Sequence, residues 1–139
     1  EILSLDSTYA QGHNNIGVAY YYKFVEGNGD DNDSSYYAYL DSAYYHLNKS
    51  IELNKNNPEA INNLGYIYKV AGRYEDAIKL FLRAIASKKE YIVALNNLGE
   101  TYELNKEYEN ARRVFKTVLD LDPSNEFAMD SFEMLMEKK

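Results

Sequence analysis

The sequence predicts an all-α protein, a stack of antiparallel helix hairpins, and three observations carry that reading. The phrase INNLGYIYKVAGRYEDAIKLFLRAI (61–85) returns as LNNLGETYELNKEYENARRVFKTVL (95–119), thirty-four residues later. Within the first copy the apolar residues keep helical spacing. Ile61, Leu64, Gly65 and Tyr68 stand at i, i+3, i+4 and i+7, as do Ala77, Leu80, Phe81 and Ala84. Breakers are scarce: proline occurs only at 58 and 123, and glycine seven times in 139 residues, so long helices are the default.

Taken in order, EILSLDSTY (1–9) resembles TVLDLDPSNE (117–126) and is expected to end the second helix of a preceding hairpin. Residues 10–57 form the first complete hairpin. Its phrase NNIGVAYYY (14–22) repeats the opening of the later copies, but Gly17 lies forty-eight residues before Gly65, fourteen more than one period. Ala43, Leu47 and Ser50 nevertheless precede Ala77, Phe81 and Ala84 by thirty-four. The fourteen extra residues therefore lie across the turn, and divide into about two added turns on each helix. Phe24 continues Tyr20 by i+4, and Tyr36, Leu40, Ala43 and Leu47 make one stripe. The polar break EGNGDDNDSS (26–35) is the tip, with Asp33 or Ser34 capping the second helix.

The next hairpin spans 58–91. Pro58 suits the first turn of its opening helix, and Gly72 in AGRY suits the left-handed position that closes it. In the hairpin 92–125, Lys106 replaces that glycine, with Asn105 beside it to help the turn, and Pro123 ends the second helix. Residues 126–139 give a last amphipathic helix bearing Phe127, Phe132, Leu135 and Met136, suited to cover the end of the stack. Gly65, Gly99, Ala77 and Ala111 are small where two helices must approach closely.

Composition removes several functions. The chain carries net charge −7, which disfavours nucleic acid, since phosphate binding needs clustered Lys and Arg. No stretch approaches the roughly 18 apolar residues of a membrane span. The absence of cysteine excludes disulfides, thiolate metal sites and Cys nucleophiles. The chain begins with Glu1 and is expected to be a piece of something longer. No catalytic constellation is visible, and no cofactor is implied. His13 and His46 read as isolated packing residues. GDDNDSS (29–35) offers oxygens at Asp30, Asn32 and Ser34, but it lacks the turn glycine of a calcium loop, and its twelfth residue is Asp41 rather than Glu. Eight of the fifteen tyrosines lie between Tyr20 and Tyr45. Most are expected to line the long hairpin, with Tyr21, Tyr37 and Tyr45 as the exposed set.

A Leu-Gly step (Leu64, Gly65; Leu98, Gly99), then Tyr68 or Tyr102, Gly72-x-Tyr74, Ala77, Phe81, Ala84 and Pro123 form a pattern that resembles the tetratricopeptide repeat. The resemblance covers 58–91 and 92–125 fully and 10–57 with a lengthened turn. Lys106, and Lys89 where a proline is usual, depart from it. It implies a right-handed superhelical stack whose first helices line a concave groove. Asn15, Asn63 and Asn97, just before the Leu-Gly or Ile-Gly step, resemble the asparagine ladder of the O-GlcNAc transferase branch of the family, which holds an extended peptide backbone. Stacked helices lie about 8–10 Å apart and an extended chain advances about 3.3 Å per residue, so one amide per repeat would meet every third peptide unit. Asn62, Tyr66, Lys69 and Val70, with Asn96, Glu100, Glu103 and Leu104, are expected on the same face. Glu59, Asn62, Val93 and Asn96 stand where chaperone-binding members of the family place cations, which disfavours an anionic chaperone tail. The resulting expectation is a non-catalytic interaction scaffold that binds an extended neutral or basic peptide of a partner protein. The alternative is self-assembly, a homodimer formed through the stack ends or the tyrosine-rich hairpin.

Overall fold

The computed structural model describes residues 2–27 and 34–138, with side chains over 6–27 and 37–138. Seven helices and no strands occur among them: α1 (Ile2–Glu26), α2 (Ser34–Leu53), α3 (Pro58–Val70), α4 (Tyr74–Ser87), α5 (Ile92–Leu104), α6 (Tyr108–Leu121) and α7 (Glu126–Met136). The chain divides into two compact units, Glu1–Leu64 and Gly65–Lys139.

In the first unit α1 and α2 pack as one long antiparallel hairpin. Rising positions on one helix meet falling positions on the other. The Ser50 hydroxyl donates to the Ala10 carbonyl at 2.7 Å, His13 meets His46, and a Cβ at Gly17 would stand 2.8 Å from Leu47. Of the fourteen extra residues, α1 takes four, running nine past Gly17 where α3 and α5 run five past Gly65 and Gly99. α2 takes six, beginning nine before Ala43 where α4 and α6 begin three before Ala77 and Ala111. The expected even split of seven and seven is thus four on α1 and six on α2 among the described residues. The predicted tip and its calcium-like oxygens at Asp30 and Asn32, with the Asp33 cap, lie outside the described residues.

One expectation is corrected at the N-terminus. α1 runs unbroken from Ile2 to Glu26, so residues 2–9 are continuous with the helix of Asn14–Tyr22 rather than the end of a separate one. The physical reason is visible in the compared segment. At 119–125 the chain reads Leu-Asp-Leu-Asp-Pro-Ser-Asn, and Pro123 breaks the helix after Leu121. At 3–9 Ser7 takes the place of that proline, and serine keeps its N–H for the helix.

In the second unit two close crossings repeat. A Cβ at Gly65 would lie 2.9 Å from Phe81, and one at Gly99 2.7 Å from Phe115. Phe81 and Phe115 are wholly buried, as are Ala77 and Ala111. The first-helix turns close alike. Gly72 has φ 76° and the Arg73 N–H donates to the Tyr68 carbonyl at 2.9 Å. Lys106 itself takes the left-handed conformation, φ 61°, and the Glu107 N–H reaches the Tyr102 carbonyl at 2.8 Å. Asn105 keeps a negative φ of −83°, and helps by donating from Nδ2 to Glu107 at 2.9 Å. α7 packs on α6, with Ala128 and Leu135 buried beside Leu95, Ala111, Phe115 and Val118. Its N-terminus is capped by Asn125, whose Oδ1 accepts from the Ala128 N–H at 3.0 Å. At its other end Arg112 donates to the carbonyls of Leu135 and Lys138 at 2.7 and 3.0 Å, satisfying acceptors the helix leaves open.

Candidate functional site

The asparagine pairs sit on first helices, but the members of each pair differ. In the first unit Asn14 and Asn62 are each only 4% exposed, and the Asn63 Nδ2 donates to Asn14 Oδ1 at 2.9 Å. Asn63 therefore ties α3 to α1. The helical penalty of asparagine has a structural return here, a hydrogen bond between repeats across forty-nine residues. Asn15 is exposed and accepts from Gln11 at 3.0 Å. Asn62 is thus buried rather than lining an open surface.

In the second unit α3 and α5 carry the other candidates. Tyr66, Val70 and Leu104 are exposed at 37, 51 and 47%, as a docking surface requires. Lys69 was expected beside them, yet it is buried. Its ammonium is ion-paired with Glu100 on α5 and lies 4.5 Å from the centre of the Tyr66 ring. Glu100 keeps 39% exposure. Glu103 is half-buried and lies 3.6 Å from Lys138. Asn97 is half-buried, and its carbonyl accepts from the buried Thr101 hydroxyl at 2.6 Å. Asn96 Oδ1 is buried with no hydrogen-bond donor among the described residues. Ser131, thirty-five positions beyond Asn96, stands where Asn97 stands in the preceding repeat and carries a hydroxyl in place of the amide.

Outside these residues the long hairpin holds a constellation that sequence reasoning missed. His13 and His46, read as isolated, point Nδ1 at Nδ1 across 2.8 Å. Their ring centres are 5.0 Å apart and nearly parallel, so the two nitrogens lie between the rings, edge to edge. Tyr20 stacks on His46 and Tyr45 meets it edge-on. Burial pushes the His46 pKa down, and the charge of His13 adds to it. A signal was available: once Gly17 faces Ala43 and Leu47, antiparallel counting brings position 13 near 47–51, beside His46. Tyr37 and Tyr45 are exposed as expected, whereas Tyr21 is half-buried and Tyr22 takes the exposed place at 59%. Tyr9, also exposed, joins them. No group of three metal-ligating side chains occurs among the described residues, and no helix there is long and apolar enough to cross a membrane.

Paired helices joined by tight left-handed turns, with a Gly over an aromatic at a fixed period, define a class of helical-repeat protein. Residues 57–124 match the tetratricopeptide repeat family; these residues are tetratricopeptide repeats, and the fold is of that type. Among solved structures, the chain is similar to the first repeat domain of Spaghetti (RPAP3) bound to the HSP90 peptide SRMEEVD. The TM-score is 0.79 at 19% identity, over 94% of this chain and 92% of that one. The second repeat domain of human RPAP3, in complex with an HSP70 peptide, has TM-score 0.79 at 20% identity over 96 and 99%. A Thermobaculum terrenum O-GlcNAc transferase mutant has TM-score 0.73 at 17% identity, over 94% of this chain and 22% of that one. At such identities the likeness speaks for the fold. No curated protein sequence matches the chain.

Proposed function

We propose that the chain is a non-catalytic scaffold that binds an extended, neutral or basic segment of a partner protein along the exposed faces of its first helices. The observation that carries this reading is that Tyr66, Val70 and Leu104 stay exposed on α3 and α5, the two helices that the Lys69–Glu100 pair joins. Peptides held by the RPAP3 domains support a protein partner for this fold. Asn63 has Oδ1 for a peptide N–H while its Nδ2 serves Asn14; Asn97 is the corresponding candidate on α5, and Asn15, whose Oδ1 accepts from Gln11, offers its Nδ2 to a peptide carbonyl. A backbone-directed amide gives affinity with little sequence choice, so selectivity falls to Tyr66, Val70, Leu104 and charge.

The test is a peptide-array screen followed by titration. Each lost hydrogen bond costs about 0.5–1.5 kcal/mol, so replacing Asn63 and Asn97 by Ala should weaken the best ligands about tenfold or more. Helical circular dichroism should remain intact. Asn14→Ala is the control, since it breaks the internal Asn63–Asn14 link and leaves Asn63 in place. Equal loss in the control would mean that the amides act structurally and would sink the ladder role. A second reading, self-assembly, is favoured by Tyr9, Tyr22, Val25, Tyr37 and Tyr45, all more than half exposed. Mass that rises with concentration, with no peptide bound, would put it in first place.

A further inference from the structure

We infer that the Lys69–Glu100 pair is a charge lock that sets which peptides the second unit accepts: it withdraws the cation and presents the anion. The inference rests on the peptide-binding reading and adds the residue that decides its charge preference. Lys69 belongs to α3 and Glu100 to α5, thirty-one positions apart, so the pair joins two neighbouring first helices. The exposures are unequal. Lys69 keeps 7% of its side-chain surface, while Glu100 keeps 39%. The Tyr66 ring lies 4.5 Å from the ammonium, and the ring face adds to its attraction for the cation. An arriving carboxylate therefore meets Glu100 first and finds Lys69 already engaged. To reach Lys69 it must break a buried ion pair and leave Glu100 uncompensated, which makes anionic ligands the rejected class. A lysine or arginine of a peptide instead meets the exposed part of Glu100, on helices that also expose Tyr66, Val70 and, one turn along α5, Leu104. Glu103, the next carboxylate along α5, is more covered, and its cation Lys138 at 3.6 Å is itself exposed, whereas the cation of Glu100 is buried behind it.

The probes are SRMEEVD with a free C-terminus and the basic counterpart SRMKKVK with an amidated one, both fluorescein-labelled and titrated by anisotropy. Glu100→Gln keeps the shape and the hydrogen-bond acceptor but removes the negative charge. It should shift the affinity ratio toward SRMEEVD by about tenfold or more. Lys69→Met removes the cation and leaves Glu100 unpaired, and should shift the ratio toward the basic peptide. Circular dichroism checks that both variants stay folded, and if one does not, the opposite shift expected of the other still decides. Opposite shifts support the lock. A purely structural pair would weaken both peptides alike in both variants, and a fixed ratio with measurable binding overturns the lock alone. Binding of neither peptide to any of the three proteins sinks the peptide-binding reading and the lock with it.

Discussion

Nδ1 of His13 and Nδ1 of His46 stand 2.8 Å apart, so one ring must donate while the other accepts. Charging both would set two N–H donors against each other. Burial first, and the charge of His13 second, hold the His46 pKa below its ordinary 6.5. A base lowered in this way binds its proton more readily in the unfolded chain. Its stabilising contribution is therefore complete above 6.5 and is lost as pH falls below that value. The thermal midpoint should drop between about pH 7.5 and about pH 5.5, before most carboxylates titrate. His46→Gln should remove most of that drop, and an equal drop in the variant would refute the pair as its source. The asparagines show the same dependence on partners. Asn14 Oδ1 has the Asn63 amide as donor, whereas Asn96 Oδ1 has none among the described residues, although the two residues stand at the same place in their repeats.

At the scale of the element, the turns and the long hairpin are the informative parts. Lys106 adopts a φ of 61° where Gly72 adopts 76°, a conformation that costs a side-chain-bearing residue about 1–2 kcal/mol. Lys106→Gly should recover part of that cost, a gain of about 0.5–1 kcal/mol after the added freedom of the unfolded chain is subtracted. A urea midpoint that stays put or falls would contradict it. The hairpin α1–α2 keeps the Gly-over-large-residue crossing of the other repeats, with Leu47 where Phe81 and Phe115 stand. Removing 24–37 restores the ordinary spacing between Gly17 and Leu47 and puts Ala38 at the left-handed turn position, so the deletion is best made with Ala38→Gly. The product is expected to remain cooperatively folded and helical. Loss of the unfolding transition would show the extension to be indispensable to the unit.

Across the whole molecule, a helix hairpin leaves an apolar side open that a further helix must cover. α7 supplies this for the last hairpin: Leu135 is wholly buried, and Phe127 meets Phe115 edge-on at 5.9 Å. Leu135→Ala should cost about 2–5 kcal/mol, as for other large-to-small changes in a packed core. Met134→Ala, at a position 59% exposed, should stay within about 0.5 kcal/mol of the parent. Similar costs for the two in denaturant titration would mean that α7 does not seal the cluster. Glu133 stands on α7 where Gly65 and Gly99 stand on α3 and α5, so the close crossing over an aromatic that those glycines permit is not available to α7.

The sequence by itself determined the helical class, the thirty-four-residue period, the Gly65 and Gly99 crossings, the left-handed place of Gly72 and the break at Pro123. Each is a local or strictly periodic property: helix spacing fixes which face is apolar, and a small residue or a missing N–H acts at its own position. The period also located the fourteen added residues on the two sides of a turn. Tertiary structure alone decided the partners. The recurring asparagines raised a bond between repeats without saying which amide meets which, and nothing periodic announces that Glu100 engages Lys69 and withdraws it from the surface, or that His13 meets His46, because these contacts join different helices through individual rotamers and a particular packing distance. The continuity of α1 through residues 2–9 belongs to the same class. It turned on Ser7 standing where a proline would have ended the helix, a difference of one N–H group that similarity to 117–126 had hidden.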